Sequence, residues 1–129
     1  MMRVLYEDDH FSMVFHPLDR VVVARRKPSE GTEDEIIASM SAARDVDLAP
    51  LAPRAIIVDV RAVTGRSDPE FERRTAPLRR AITESAPRAI ILVATVAGAL
   101  QTNRLSAQEG SRLFIAKTEE EAFRIARGD

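Results

Sequence analysis

The sequence predicts an α/β fold built on a mixed sheet, with an antiparallel hairpin at one side and parallel β-α units at the other. Three observations carry this. Phe11, Met13 and Phe15 alternate with polar or smaller neighbours at the period of a strand. Two near-continuous apolar runs, residues 55–60 and 88–94, suit strands buried on both faces and are too short for buried helices. Between and after these runs stand segments with helix-start chemistry, which gives the strand-helix alternation of parallel units with right-handed crossovers.

The elements follow in order. A short opening strand is expected over residues 3–6. The next spans the alternating stretch, with Phe11, Met13 and Phe15 toward the core and Ser12 and Val14 away from it. "HPLD" reads as a turn, and the β-branched residues 21–24 return as the second arm of the hairpin. In "EGTEDEIIASMSAARD", Thr32 and Glu35 have capping-box spacing, and Ile36, Ile37, Met40 and Ala43 share one helical face. "VDLAPLAPRA" is a loop, since each Pro disfavours helix in the residue before it.

Residues 55–60 form the central strand, interrupted only by Asp59. A helix opens near Ser67, Asp68 and Pro69, with Phe71, Leu78 and Ile82 as its buried stripe and Pro77 expected to kink or divide it. Residues 88–94 are a second buried strand. "GALQTNRLSAQEG" reads as a helix ending at Gly110, residues 112–116 as a last strand, and "TEEEAFRIAR" as a capped terminal helix. No internal repeat, low-complexity tract or linker is apparent, so residues 1–129 are expected to form a single domain.

Composition narrows the function. Hydrophobic residues make up 45% and charged residues 30%, which suits a folded domain rather than a disordered chain. With 19 basic against 20 acidic residues, the net charge of -1 provides no global attraction to nucleic acid or an anionic membrane. The absence of Cys excludes disulfides, thiolate nucleophiles and Cys-based zinc sites. No apolar run approaches the ~20 residues of a membrane span, and the acidic N-terminus lacks a signal-peptide core, so a cytoplasmic location is expected. The basic residues are nearly all Arg, which favours bidentate contacts with carboxylate or phosphate.

The order hairpin, helix, strand, helix, strand, helix, strand, helix, together with "IIVDVRAV", resembles STAS-type domains, the fold of bacterial anti-sigma-factor antagonists. The resemblance spans nearly the whole chain. It implies a STAS-like bacterial regulatory protein acting through other proteins, docked by the helix after the central strand. Antagonists carry Asp-Ser-Ser-Gly after that strand, with a phosphorylated Ser. Here "TGRSDPEF" stands instead: Ser67 lies near the switch position, while the paired Ser and the following Gly are missing.

A second resemblance is to response-regulator receivers. "VLYEDD" is similar to their acidic pair, Asp59 to the phosphoacceptor, and Thr95 and Lys117 stand near the switch Thr and conserved-role Lys of that family. Receivers, however, have a helix directly after the acidic pair, where this chain alternates as a strand.

Several residues are candidates for chemistry. The loops after the parallel strands should emerge at the carboxyl edge of the sheet, where open α/β sheets bind ligands. Arg61, Gly65, Arg66, Ser67 and Gln101 are the candidate ligand-binding residues there, set against an ordinary strand-to-helix turn with solvated Arg. Arg73, Arg74, Arg79 and Arg80 form a basic stripe on the following helix, either a solvated face or a docking surface for another protein or a second copy of this chain.

His10 and His16 stand about 20 Å apart along one strand, too far to share a metal, and are expected at solvated strand ends. With no G-x-G-x-x-G, P-loop or nucleophile elbow, neither a catalytic residue nor a metal or other cofactor is expected. The leading expectation is a non-enzymatic regulatory or scaffolding module. The rival is a small-molecule or phosphoryl-dependent sensor using the carboxyl-edge loops, with Asp59 as acceptor.

Overall fold

A computed structural model describes residues 1–62, 69–94 and 113–128. The strands are β1 (Arg3–Glu7), β2 (Phe11–His16), β3 (Val21–Arg26), β4 (Ala55–Asp59), β5 (Ala89–Leu92) and β6 (Leu113–Ala116). The helices are α1 (Glu33–Arg44), α2 (Pro69–Thr83) and α3 (Glu119–Arg127), with a 3-10 turn at Ala49–Leu51. The expected helix over "GALQTNRLSAQEG" lies outside the described residues, as do the caps Ser67 and Asp68.

The strands lie in one sheet in sequence order, β1-β2-β3-β4-β5-β6. The first two pairings are antiparallel and the remaining three parallel. The mixed α/β sheet expected from the sequence is therefore present. Alternation places Phe11, Met13 and Phe15 in the core, with Ser12, Val14 and His16 half-exposed on the other face. β3 runs two residues beyond its apolar stretch, through Arg25 and Arg26, because both continue to pair with β2.

Side-chain alternation along the parallel strands makes two cores. On one face, Val22, Ala24, Ile56, Val58, Ala89 and Ile91 pack with Ala43 of α1 and Ile82 of α2. Both helices lie there because both crossovers step the same way across the sheet, and a shared handedness then puts them on one side. On the opposite face, Val21, Val23, Ala55, Ile57, Ile90 and Leu92 pack against Ala122 and Ala126 of α3. Every residue of β4 and β5 is buried, as the two apolar runs require.

Helix starts follow their caps. Thr32 Oγ1 accepts the Glu35 amide at 3.1 Å, and Thr118 Oγ1 accepts the Glu121 amide at 3.1 Å. α2 departs from expectation in two ways. Of the expected kink or division at Pro77, the division does not occur: the helix continues from Pro69 to Thr83. Pro77 faces solvent, where the carbonyl it leaves without a helical donor is accessible to water, while Thr75, Leu78 and Ile82 hold the buried side. Phe71, expected in the buried stripe, is only half-buried.

Leu78 is 6% exposed and sits on the buried side of α2. Leu78→Ala should cost about 2–5 kcal/mol through lost burial and the cavity left behind. Arg73→Ala, on the exposed side, should change stability by less than about 0.5 kcal/mol. Chemical denaturation of both variants checks the orientation of this helix.

Candidate functional site

The carboxyl edge of the parallel strands is organised around Asp59, which ends β4 and is 3% exposed. Parallel register sets it beside Arg25 of β3, whose Nε donates to Oδ2 at 2.8 Å. Arg61 closes back onto the same carboxylate. Its backbone amide and Nε each donate to Oδ1 at 3.0 Å, and its Nη2 donates to Oδ2 at 2.9 Å. Glu119, in the first turn of α3, accepts from Arg25 Nη2 and lies 4.0 Å from Arg61 Nη2.

Burial alone would raise the Asp59 pKa, but the hydrogen bonds from Arg61 and then Arg25 outweigh it and hold the carboxyl below its ordinary value. Two cations thus face two carboxylates. Arg61, considered above for a ligand, is engaged by Asp59. Gly65, Arg66, Ser67 and Gln101 lie outside the described residues, as does Thr95.

A second polar cluster secures the β1–β2 turn. Asp8 Oδ1 accepts the amides of His10 and Phe11, each at 2.8 Å, and Ser39 Oγ donates to Oδ2 at 2.6 Å. Tyr6 OH also donates to Asp8. Desolvation pushes the Asp8 pKa up, yet the bonds from Ser39, Tyr6 and the two amides prevail and bring it down to about 2. Ser39 lies in α1, so this carboxylate fastens the turn to the helix. In strand order it stands three strands from Asp59, about 14 Å across the sheet at ~4.8 Å per strand.

The two imidazoles are less solvated than the sequence implies. The His10 side chain is 13% exposed, with Nδ1 2.6 Å from Ser29 Oγ and Nε2 3.5 Å from Glu35 Oε2. Gly31 passes so close that a Cβ there would lie 2.6 Å from His10 Cε1. At the far end of β2, His16 meets the Phe123 ring edge-on with centroids 5.1 Å apart. Among the described residues, no three His, Asp or Glu converge in a way that could hold a metal ion.

On α2, Arg73, Arg74 and Arg80 are exposed and Arg79 is half-buried. Arg74 Nη2 donates to Asp34 Oδ1 at 2.8 Å, linking α2 to the start of α1. The guanidiniums of Arg73, Arg79 and Arg80 have no ion pair among the described residues.

A cavity of about 650 Å³ opens at the amino edge of the parallel strands, away from the carboxyl-edge loops. Arg20, Arg54 and Arg88 line it, each immediately preceding the first residue of β3, β4 or β5. They are equally spaced in the sequence, and "PRAIIV" at 53–58 recurs as "PRAIIL" at 87–92. A short internal repeat therefore exists, contrary to the sequence reading above. Comparing the two apolar runs together with their preceding residues would have shown it. The Arg25–Asp59 pair carried no comparable signal, because it depends on register between strands far apart in the chain.

The two lowered carboxyls make acid stability testable. A carboxyl with a depressed folded pKa stabilises the fold above its unfolded value, and that contribution is lost as pH falls through the folded value. For Asp8 the window runs from 3.8 to about 2. Asp8→Asn should flatten the fall in stability across this window relative to the parent chain, with Asp59 preserving part of the slope. Urea denaturation at stepped pH measures both.

No family model, curated protein or solved structure matches the chain.

Proposed function

We propose that this chain is a non-enzymatic, cytoplasmic regulatory or scaffolding module of bacterial STAS-like type, working through contact with another protein or a second copy of itself. The observation that carries the reading is the exposed side of α2, where Arg73, Arg79 and Arg80 lack ion pairs among the described residues. Ile82 packs into the core against the sheet and Leu78 is buried on the inner side of the helix, so those cations are presented on a supported surface. Arg is favoured at protein interfaces because its planar fork pairs with carboxylates and its stem still covers apolar surface. The matching partner is an acidic protein surface.

The resemblance to STAS-type domains points to the same helix, since theirs commonly docks the partner. Membrane insertion through a helix has no support among the described residues, none of whose helices is long and apolar enough to span a bilayer. The alternative is a phosphoryl-dependent sensor with Asp59 as acceptor. One carboxylate oxygen would have to be freed, Oδ1 from Arg61 or Oδ2 from Arg25 and Arg61, and for that reason it ranks second.

The test reverses charge at the unpaired positions. Arg73→Glu, Arg79→Glu and Arg80→Glu together should leave the melting temperature within a few degrees of the parent and reduce partner capture from the native host at least tenfold. The loss should be greatest at low salt, where opposed charges are least screened. Arg74 is best left in place because it pairs with Asp34. A variant that melts normally and captures the same partners would move the docking face elsewhere.

A further inference from the structure

We propose that the cavity at the amino edge of the parallel strands binds a small organic dianion, of the phosphomonoester or dicarboxylate class, between Arg20, Arg54 and Arg88. The site lies where the starts of β3, β4 and β5 meet. Arg54 N donates to Arg20 O at 2.8 Å, and Ile56 N donates to Arg88 O at 2.9 Å; since Ile56 pairs with Ala89, Arg88 stands level with Ala55, one residue out of step with Arg54, and its guanidinium lies toward α3. With adjacent strands ~4.8 Å apart, all three residues still line the one cavity at this edge. Among the residues lining it there is no carboxylate.

Two of the cations also have a structural task. Arg20 Nη2 donates to Ala52 O and Arg88 Nη1 to Ile125 O, each at 2.6 Å. The carbonyl ends of α1, α2 and α3 face this edge, and such ends repel anions. Arg20 and Arg88 offset that repulsion and are held in place by it, with further N–H groups on each guanidinium still available. Arg54 is surplus to this role: its guanidinium has no bond or ion pair among the described residues. It supplies charge that the fold itself leaves unused.

The remaining walls select for a ligand with a body as well as a charge. Leu48, Pro53, Pro87 and Ala126 give an apolar lining, and Ser85 adds a hydroxyl. The volume falls within the range of ordinary small-molecule sites. Three Arg beside apolar walls fit a dianionic head on a compact apolar body better than a free inorganic ion.

The test uses the full chain labelled with nitrogen-15, titrated at constant ionic strength with phenyl phosphate, inorganic phosphate and succinate. Saturable amide shifts are expected at Leu48, Arg54, Ser85 and Arg88, with phenyl phosphate binding more tightly than inorganic phosphate. A stronger response to phenyl phosphate assigns a phosphomonoester, and one to succinate a dicarboxylate. Arg54→Ala should weaken binding at least tenfold, with Arg54→Lys in between. Arg54→Gln provides a second neutral variant if the alanine alters the rest of the spectrum. No saturable shift with any of the three probes, or unchanged affinity in the neutral variant that keeps the fold, would overturn the proposal.

Discussion

The sheet depends on a charge placed where charge is expensive. β4 is buried along its whole length and terminates in a carboxylate, and an isolated buried carboxylate would cost several kcal/mol. Arg25 and Arg61 remove that penalty through four hydrogen bonds, and each keeps part of its own guanidinium in solvent. Because Arg25 belongs to β3 and Glu119 begins α3, the same network joins two strands to the helix on the second face. The cost of burying Asp59 is thus converted into a fixed start for α3.

This arrangement divides the two edges of the sheet. At the carboxyl edge several described groups are engaged: Asp59 with Arg25 and Arg61, Asp8 with hydroxyls and amides, and His10 with Ser29 and Glu35, while Arg26 keeps a buried Nε without a hydrogen-bond partner. At the amino edge, cations outnumber their partners. At the edge expected from α/β architecture to bind ligands, the central carboxylate Asp59 is already engaged by two Arg. The inference of an anion site follows this imbalance in preference to the general rule.

What the sequence made legible was whatever depends on local spacing. Alternation at Phe11, Met13 and Phe15 identified β2, and Thr32 and Thr118 marked the starts of α1 and α3. What it concealed depends on contacts across the sheet. Arg25 and Arg26 read as polar residues beyond a strand, yet both pair with β2; Asp59 read as an interruption, yet it is the anchor. Pro77 was judged by helix propensity alone, while packing of Leu78 and Ile82 carries the helix past it. Of the candidate ligand residues only Arg61 falls within the described structure, and its engagement with Asp59 also needed three-dimensional register.

The sequential strand order has a consequence for how the domain is made. Each strand pairs with its immediate predecessor, so no later strand has to insert between two already joined. A chain leaving the ribosome can therefore extend its sheet one strand at a time, each pairing closing only the connection to the strand just before it. The exception is α3, which comes last and returns over β4 and β5. Until it docks, Val23, Ile57, Ile90 and Leu92 lack the cover of Ala122 and Ala126, so docking of α3 is the step that takes this sticky face out of reach of other chains.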